Sequence, residues 1–227
     1  MTLSVQELWR YPVKSLAGEP LTTATLTPHG IPGDRAVWVC GPEGVRTSRR
    51  QYRLLGLRGT LDPGGQPLVD GYPWASHEAL ARVRAAAGDD AWLEPADDEA
   101  KFDVLPLLVA TDGAVAAFGR DVRRLRPNIV IGGVDGLDEF TWAGAALHIG
   151  EVVIHLDSRR GRCPMTTVDP ETLERDPAVL RDIGRRFGGR LALNAAVVRG
   201  GTIAVGDGVT LVRHGRDDRE SPLAGIG

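Results

Sequence analysis

The chain has 227 residues, of which 42% are hydrophobic and 25% charged, with a formal net charge of −3 at pH 7 and two cysteines. These values are typical of an ordinary globular protein, and two cysteines exclude a disulfide scaffold, a four-cysteine zinc site and a four-cysteine iron–sulfur cluster. The near-neutral charge speaks against a nucleic-acid-binding protein, and because the sequence has neither an apolar run of about 18 residues nor a signal peptide, it predicts no membrane span and a cytoplasmic location.

Arginine supplies almost all of the positive charge. Of the 27 basic residues, only Lys14 and Lys101 are lysines. A lysine ammonium is a compact point charge, whereas an arginine guanidinium is a flat fork, so the two lysines are candidates for roles that arginine fills poorly. The alternative is that both survive by chance.

The first half of the chain has the pattern of short strands joined by turns. Alternating and β-branched residues predict strands within 4–30, and an apolar run with a Gly-Pro-Glu-Gly turn predicts a hairpin over 34–50. Ser76 is the expected N-cap of a helix near 77–87. The acidic, proline-containing residues 88–101 predict a linker between two halves.

The second half returns to strands. Apolar runs predict strands within 102–133, and the alternation over 144–156 predicts a second hairpin. Asp176 and Pro177 are the expected N-cap and first residue of a helix that ends after Phe187. Strand character resumes before a polar, aperiodic segment, 214–227, for which we expect a disordered tail.

Common catalytic signatures do not occur in the sequence. It has no dinucleotide fingerprint, no phosphate-binding Walker loop, no HExxH or CxxC, and no GxSxG elbow. Two of the five histidines, His148 and His155, flank a predicted hairpin turn, and their opposite parity predicts opposite faces of the sheet. A joint metal site formed by these two residues is therefore not expected.

Several polar residues lie at the ends of predicted strands. They combine point charges, a hydroxyl, an amide and guanidinium forks, which is the set that an anionic, phosphorylated small ligand requires. The alternative for the arginines is surface pairing with Asp34 or another acid. The residues are Lys14, Ser15, Arg35, Arg126 and Asn128.

Cys163 lies in a polar loop after the second hairpin. Arg159, Arg160 and Arg162 lie within four residues of it, and nearby cations favour the reactive thiolate form. The alternative is that Cys163 is a small buried hydrophobe. Cys40 follows an apolar run, which predicts a place in the core.

Five segments occur in an order that resembles a known family. Together they are similar to the landmarks of proteins in which an N-terminal β-barrel is joined to a molybdenum cofactor sulfurase C-terminal (MOSC) domain, and RCxxTTVDP is the most specific of them. The segments are YPVKSLAGE at 11–19, HGIPGDRAVWV at 29–39, RPNIVIGG at 126–133, GRCPMTTVDPET at 161–172 and GTIAVGDGVTLV at 201–212. The resemblance implies a mainly β fold with some α: an N-terminal β-barrel-like domain over 1–97, with its helix near 77–87, and a MOSC β-barrel domain with a few helices over 98–213.

The resemblance also implies a cofactor, a mononuclear molybdenum centre carried by one molybdopterin, with no part for pyridoxal phosphate. In the corresponding positions, Cys163 is the metal ligand, Lys14, Ser15 and Arg35 hold the cofactor phosphate, and Arg126, Asn128 and Arg162 line the pterin. Asp169 is a candidate for orienting a ligand or handling a proton, although capping a turn is the commoner role of an Asp before Pro. The sequence departs from the family pattern at Gly161 and Leu173, where a small polar residue and a glycine are more usual.

The function implied is that of a molybdenum-dependent oxidoreductase that reduces N-hydroxylated or related N–O and S–O small molecules by oxygen-atom transfer. Its electrons would come from a separate donor protein, because the chain has no cysteines for a cluster of its own. A first alternative is a carrier that binds the cofactor, or holds sulfur on Cys163 as a persulfide, without turnover. A second is a metal-free transferase with Cys163 as nucleophile and His155 as base.

Overall fold

A computed structural model of the protein describes residues 2–97 and 101–213, so the tail expected over 214–227 lies outside the described residues. Strands dominate the described chain. In chain order they are β1 (Leu3–Arg10), β2 (Glu19–Leu21), β3 (Thr23–Leu26), β4 (Val37–Gly41), β5 (Gly44–Val45), β6 (Gly59–Leu61), β7 (Pro67–Val69), β8 (Tyr72–Pro73), β9 (Trp92–Pro95), β10 (Leu107–Thr111), β11 (Ile129–Gly132), β12 (Ala146–Ile149), β13 (Val152–Gly161), β14 (Arg190–Arg199), β15 (Gly201–Ala204) and β16 (Gly208–Val212).

The described residues also form three α-helices, α1 (His77–Ala87), α2 (Asp112–Phe118) and α3 (Pro177–Phe187). The predictions of α1 and α3 are confirmed, with Ser76 and Asp176 as their N-caps. Helix α2 was not predicted, although the Thr111 side chain caps its first turn and Gly119, at φ 67°, ends it in the left-handed conformation. Within the described ranges, no helix is long and apolar enough to cross a membrane.

Seven strands close into a barrel in the order β11-β10-β14-β13-β12-β16-β1, because β1 also pairs with β11. The seven pairings are antiparallel except β10–β11, whose parallel pairing is made possible by a crossover that includes α2. The expectation of a mainly β chain with a few helices and a barrel is confirmed.

The barrel encloses the largest apolar core, and both halves of the chain contribute to it. Val5, Leu8, Leu26 and Ile31 from the N-terminal part pack with residues of β10–β16. A second core lies beneath α1, and a third lies between α2 and α3. Because β1 is a barrel strand, the first core is continuous across the predicted domain boundary, and the division at residue 97 stays a prediction.

Two local expectations are wrong. The predicted linker 88–101 contains strand β9, which pairs with β4. His148 and His155 lie on one face of the β12–β13 hairpin rather than on opposite faces, because the two-residue turn pairs Ala146 with His155 and so puts His155 on the side of His148.

Candidate functional site

The predicted cofactor-binding residues are brought together around one cavity of about 90 Å³, where the loop after β1, the loop before β11 and the loop after β13 meet. Residues that are far apart in the sequence, such as Lys14 and Cys163, line the same cavity in the folded chain. The predicted residues that line it are Lys14, Ser15, Arg35, Arg126, Asn128, Arg162 and Cys163.

Three of these residues hold an unusual backbone conformation. Ser15, Arg35 and Arg126 have φ values of 76°, 53° and 57°. Left-handed backbone at a residue other than glycine is strained, and such strain concentrates at functional sites, where surrounding contacts enforce it. For Arg35 and Arg126, contacts with Asp34 and Tyr11 contribute to that enforcement, and the Tyr11 carbonyl accepts the Arg35 backbone N–H at 2.8 Å.

Asp34 is a buried carboxylate, 1% exposed, that contacts two residues of the cavity wall, Arg35 and Asn128. One carboxylate oxygen accepts the Tyr11 backbone N–H at 2.6 Å, and the other accepts Asn128 Nδ2 at 3.1 Å and an Arg35 guanidinium N–H. The alternative of a surface pair between Arg35 and Asp34 is wrong, because Asp34 is buried while Arg35 lines the cavity. Asp34 therefore joins the loop after β1 to the start of β11.

Tyr11 lies between two of the cavity arginines. The guanidinium of Arg126 is 4.2 Å from the centre of its ring and that of Arg35 is 5.2 Å from it. The Tyr11 hydroxyl donates to the Pro127 carbonyl at 3.0 Å, and burial raises its pKa. Burial also lowers the pKa of Arg126 to about 10, so both groups keep their usual charge at neutral pH, with an energetic cost for Arg126.

The Cys163 loop leaves β13 and enters a short 3₁₀ turn, Pro164–Thr167. The Cys163 backbone carbonyl accepts hydrogen bonds from the Thr166 N–H at 3.1 Å and from the Thr166 hydroxyl at 2.9 Å, and these bonds fix the loop. The half-buried Cys163 thiol lines the cavity. Arg162 donates to the Leu125 carbonyl at 2.7 Å, and burial lowers the pKa of this guanidinium to about 10.

The cavity is strongly cationic. Among the described residues that line it, seven are basic and one, Asp103, is acidic. Arg49, Arg124 and Arg160 belong to this set in addition to the predicted residues, whereas Arg159 stacks at 4.2 Å over Phe140. The excess of cations over acids among the lining residues favours an anionic ligand, and Arg126 and Arg162 are hydrogen-bonded to backbone carbonyls rather than to acids.

Two buried guanidinium atoms in this wall lack a partner. The Nε atoms of Arg124 and Arg162 have no hydrogen-bond partner among the described residues. Buried donors are satisfied in the great majority of native structures, so these two residues of the cavity wall each keep a donor without an acceptor.

Asp169 does not line the cavity. Its carboxylate accepts the backbone N–H groups of Glu171 and Thr172 at 2.9 and 3.1 Å, which is a turn cap, and pairs with Arg124 at 2.7 Å. The structure therefore gives Asp169 a positioning contact to a cavity arginine, and its proposed proton-handling role stays a prediction.

The metal-free transferase alternative fails on distance. His155 and the end of β13 at Gly161 are six residues apart along the strand, about 20 Å at 3.3 Å per residue. His155 does not line the cavity that contains Cys163, and it cannot act as the base for this thiol.

A second cavity of about 510 Å³ adjoins the first and shares Arg124, Arg126 and Met165 with it. Leu173 lies in its wall at φ 59°, a left-handed conformation at the position where the family more often has glycine. The larger volume is within the range of small-molecule pockets.

Comparisons with known proteins agree with this picture. Human mitochondrial amidoxime reducing component 2 is 37% identical, with 74% of this chain and 68% of that protein covered. Human mitochondrial amidoxime-reducing component 1 is 27% identical, with 74% and 67% covered. The crystal structure of the YUAD protein from Bacillus subtilis shares the fold, with a TM-score of 0.54, 12% identity and coverage of 94% of this chain and 97% of that one.

Sequence profiles of two domains match the chain. The MOSC N-terminal β-barrel domain matches residues 2–99 and the MOSC domain matches residues 112–210. With the relatives above, these matches show that the chain belongs to the MOSC domain family, in the branch that has an N-terminal MOSC β-barrel domain.

Proposed function

We propose that this protein is a molybdenum-dependent oxidoreductase that binds a molybdopterin cofactor and reduces N-hydroxylated small molecules or related N–O and S–O compounds. The observation that carries the proposal is the single cavity in which a half-buried thiol, Cys163, lies among seven cationic side chains. The names of the relatives, which describe amidoxime reduction, support the substrate class.

The residues present fit such a group. Molybdopterin carries a phosphate and polar ring atoms, which suit a cationic wall with two unpartnered guanidinium donors, those of Arg124 and Arg162. Among the described residues no group of three or more His, Cys, Asp or Glu is arranged to hold a bare metal ion. Cys163 would supply one thiolate, and the cofactor itself would complete the coordination of the metal.

Each side chain has a distinct role in this proposal. Lys14, Ser15 and Arg35 hold the phosphate, while Arg126, Asn128 and Arg162 orient the pterin. When bound, the cofactor would supply oxygen-atom transfer, and these residues would hold and orient it. Since the two cysteines are free thiols and one is assigned to the metal, we expect electrons to come from a separate donor protein in the reducing cytoplasm.

The test is metal and pterin analysis of the full chain produced in a host that makes the cofactor. We expect near-stoichiometric molybdenum and a fluorescent oxidised pterin, together with reduction of an amidoxime by reduced viologen. Cys163→Ser should abolish turnover, whereas Cys40→Ser, which changes a buried thiol bonded to Glu94 outside the cavity, should keep both cofactor and activity. Absence of both metal and pterin from the wild type would exclude the proposal.

The same experiment separates this function from that of a carrier. A protein that binds the pterin but reduces neither amidoximes nor hydroxylamines with an artificial electron donor would be a cofactor carrier. A persulfide carrier would release sulfide from Cys163 on treatment with a reducing thiol.

A further inference from the structure

Residues 101–103, named the strap here, contact the cationic cavity: Phe102 and Asp103 line it, and the Lys101 carbonyl bonds to Lys14. Asp103 is the centre of the strap: the carboxylate is 3.1 Å from Lys14 Nζ, 2.7 Å from an Arg49 guanidinium nitrogen and 3.1 Å from one of Arg160. The Lys101 carbonyl accepts a further hydrogen bond from Lys14 at 3.1 Å. Three cations from three separated chain segments thus converge on one carboxylate.

The arrangement is that of an anion site occupied by the protein's own side chain. Burial by itself raises the pKa of Asp103, but the opposing effect of Lys14, Arg49 and Arg160 holds it below its usual value, so the group is ionised at neutral pH. An ionised carboxylate satisfies the same donors that a phosphate would take.

The strap also limits the space of the cavity. Phe102 and Asp103 both belong to its wall, Phe102 lies 5.7 Å from the Arg35 guanidinium, and the volume is about 90 Å³. Pockets for cofactor-sized ligands have volumes of roughly 300–1,000 Å³. Because the Asp103 carboxylate takes the donors of Lys14, Arg49 and Arg160, a phosphate that binds to the same donors has to displace it.

We propose that Lys14, Arg49 and Arg160 form an anion subsite that takes a phosphate group of the bound ligand, and that Asp103 occupies this subsite when the ligand is absent. This inference rests on the proposed function for the identity of the ligand, and it assigns Arg49, Arg160 and Asp103 to ligand binding. The strap acts as a competitor, so it lowers the apparent affinity by the fraction of molecules in which the subsite is open.

The test uses the full chain purified without cofactor and inorganic phosphate as the probe, measured by titration calorimetry. If Asp103 leaves the subsite in about a tenth of the molecules or fewer, Asp103→Asn should bind phosphate at least about tenfold more tightly than the wild type. Adding Arg49→Ala to Asp103→Asn should remove this gain.

Asp182→Asn is the matched control. Asp182 also holds two arginines, Arg185 at 3.5 Å and Arg186 at 2.9 Å, but on α3 and outside both cavities. It should bind phosphate as the wild type does. Unchanged affinity in Asp103→Asn, or an equal gain in Asp182→Asn, would overturn the proposal.

Hydrogen exchange of the wild type gives a readout that does not depend on a variant folding. Saturating phosphate should speed exchange in a peptide that covers 101–107, because the strap is released, and slower exchange there would contradict displacement. Repeating the phosphate titration on cofactor-loaded protein identifies the source of the anion: loss of binding indicates the cofactor's phosphate, and retained binding indicates an anionic substrate.

The phosphate-binding test can fail while the proposed function holds, and the reverse is also true. Molybdenum and pterin content decides whether the protein is a molybdenum protein, whereas phosphate affinity of the cofactor-free chain decides whether Asp103 guards an anion subsite.

Discussion

Asn128 donates its side-chain Nδ2 to a carboxylate oxygen of Asp34 at 3.1 Å, and its own Oδ1 accepts the Leu108 backbone N–H at 3.1 Å. Asn128 is fully buried and Asp34 nearly so. The amide is thus a neutral bridge between an acid and a barrel strand, and it holds the start of β11 against the loop that carries Arg35.

Asn128→Asp should therefore destabilise the fold. It replaces the donor to Asp34 with a second buried carboxyl, which we expect to cost about 3 kcal/mol at pH 7. The like charge raises the pKa of the new pair in the folded state, so the penalty should shrink as the pH falls. Urea unfolding at pH 7 and pH 5 checks both statements.

Asn194→Asp provides the control for this change. Asn194 also lies in the cavity wall, but its Oδ1 accepts a guanidinium N–H of Arg160 at 3.2 Å, so a carboxylate there gains a cation. A loss of stability as large as that of Asn128→Asp would contradict the role assigned to Asp34.

Glu139 is a buried acid that ties two barrel strands together. It accepts the Thr111 N–H at 3.1 Å, the Thr111 hydroxyl at 2.9 Å and the Ala192 N–H at 2.9 Å. Ala192 has φ 66°, so Glu139 helps to hold a strained residue of β14. Burial raises the pKa of Glu139 in spite of these bonds.

Glu139→Ala should cost about 3 kcal/mol at pH 5, because it leaves two buried N–H groups without an acceptor. A raised folded-state pKa means that the stabilisation by Glu139 is fully present below its unfolded pKa and declines as the pH rises through the folded value. The difference from wild type should therefore be smaller at pH 8 than at pH 5. Glu151→Ala, at an exposed turn, should change neither value, and a pH-independent difference would disprove the linkage.

The sequence pattern predicts the cavity residues because their motifs are local. Lys14 and Ser15 follow a strand, and Asn128 precedes one, so the fold only has to bring these strand ends together. Helix α2 was predictable too, since Thr111 and Gly119 are ordinary caps, but the apolar run before it favoured a strand alone.

Other parts of the site depend on long-range geometry. Asp103 meets Arg49 and Arg160 across 54 and 57 residues, a contact that no local pattern encodes. Register shifts in β13 between Leu156 and Ser158, and again between Arg159 and Gly161, reset the alternation of side chains. For this reason the sequence could not show that Arg160, and not Arg159, reaches the cavity.

Asp169 offers a test of turn capping against charge pairing. The Thr172 and Glu171 backbone N–H groups, followed by Arg124, hold the pKa of Asp169 below its usual value. A depressed folded-state pKa gives stabilisation that is present above the unfolded pKa, about 3.9, and is lost as the pH falls through the folded value.

Asp169→Asn keeps one oxygen for the turn but loses the charge beside Arg124. The variant should unfold at lower urea concentration than wild type above pH 4, and the two midpoints should converge at lower pH. Asp157→Asn, at an exposed strand position, should match the wild type throughout. Equal urea midpoints for wild type and Asp169→Asn at pH 7 would show that the ion pair between Asp169 and Arg124 does not stabilise the fold.

Lys14 is a lysine in a chain that uses arginine almost everywhere else. Its Nζ lies 3.1 Å from both the Lys101 carbonyl and Asp103, and 5.9 Å from the centre of the Trp38 ring, in a cavity of about 90 Å³. A guanidinium keeps the charge but is wider and less free to turn, so it cannot follow a phosphate that replaces Asp103.

Lys14→Arg should lower pterin retention about tenfold, the lower end of what a lost supporting contact costs. Arg181→Lys, at an exposed position of α3 outside both cavities, should retain pterin as the wild type does. If Lys14→Arg retained it equally well, positive charge alone would suffice at this position, and the scarcity of lysine in the chain would have no connection with the site.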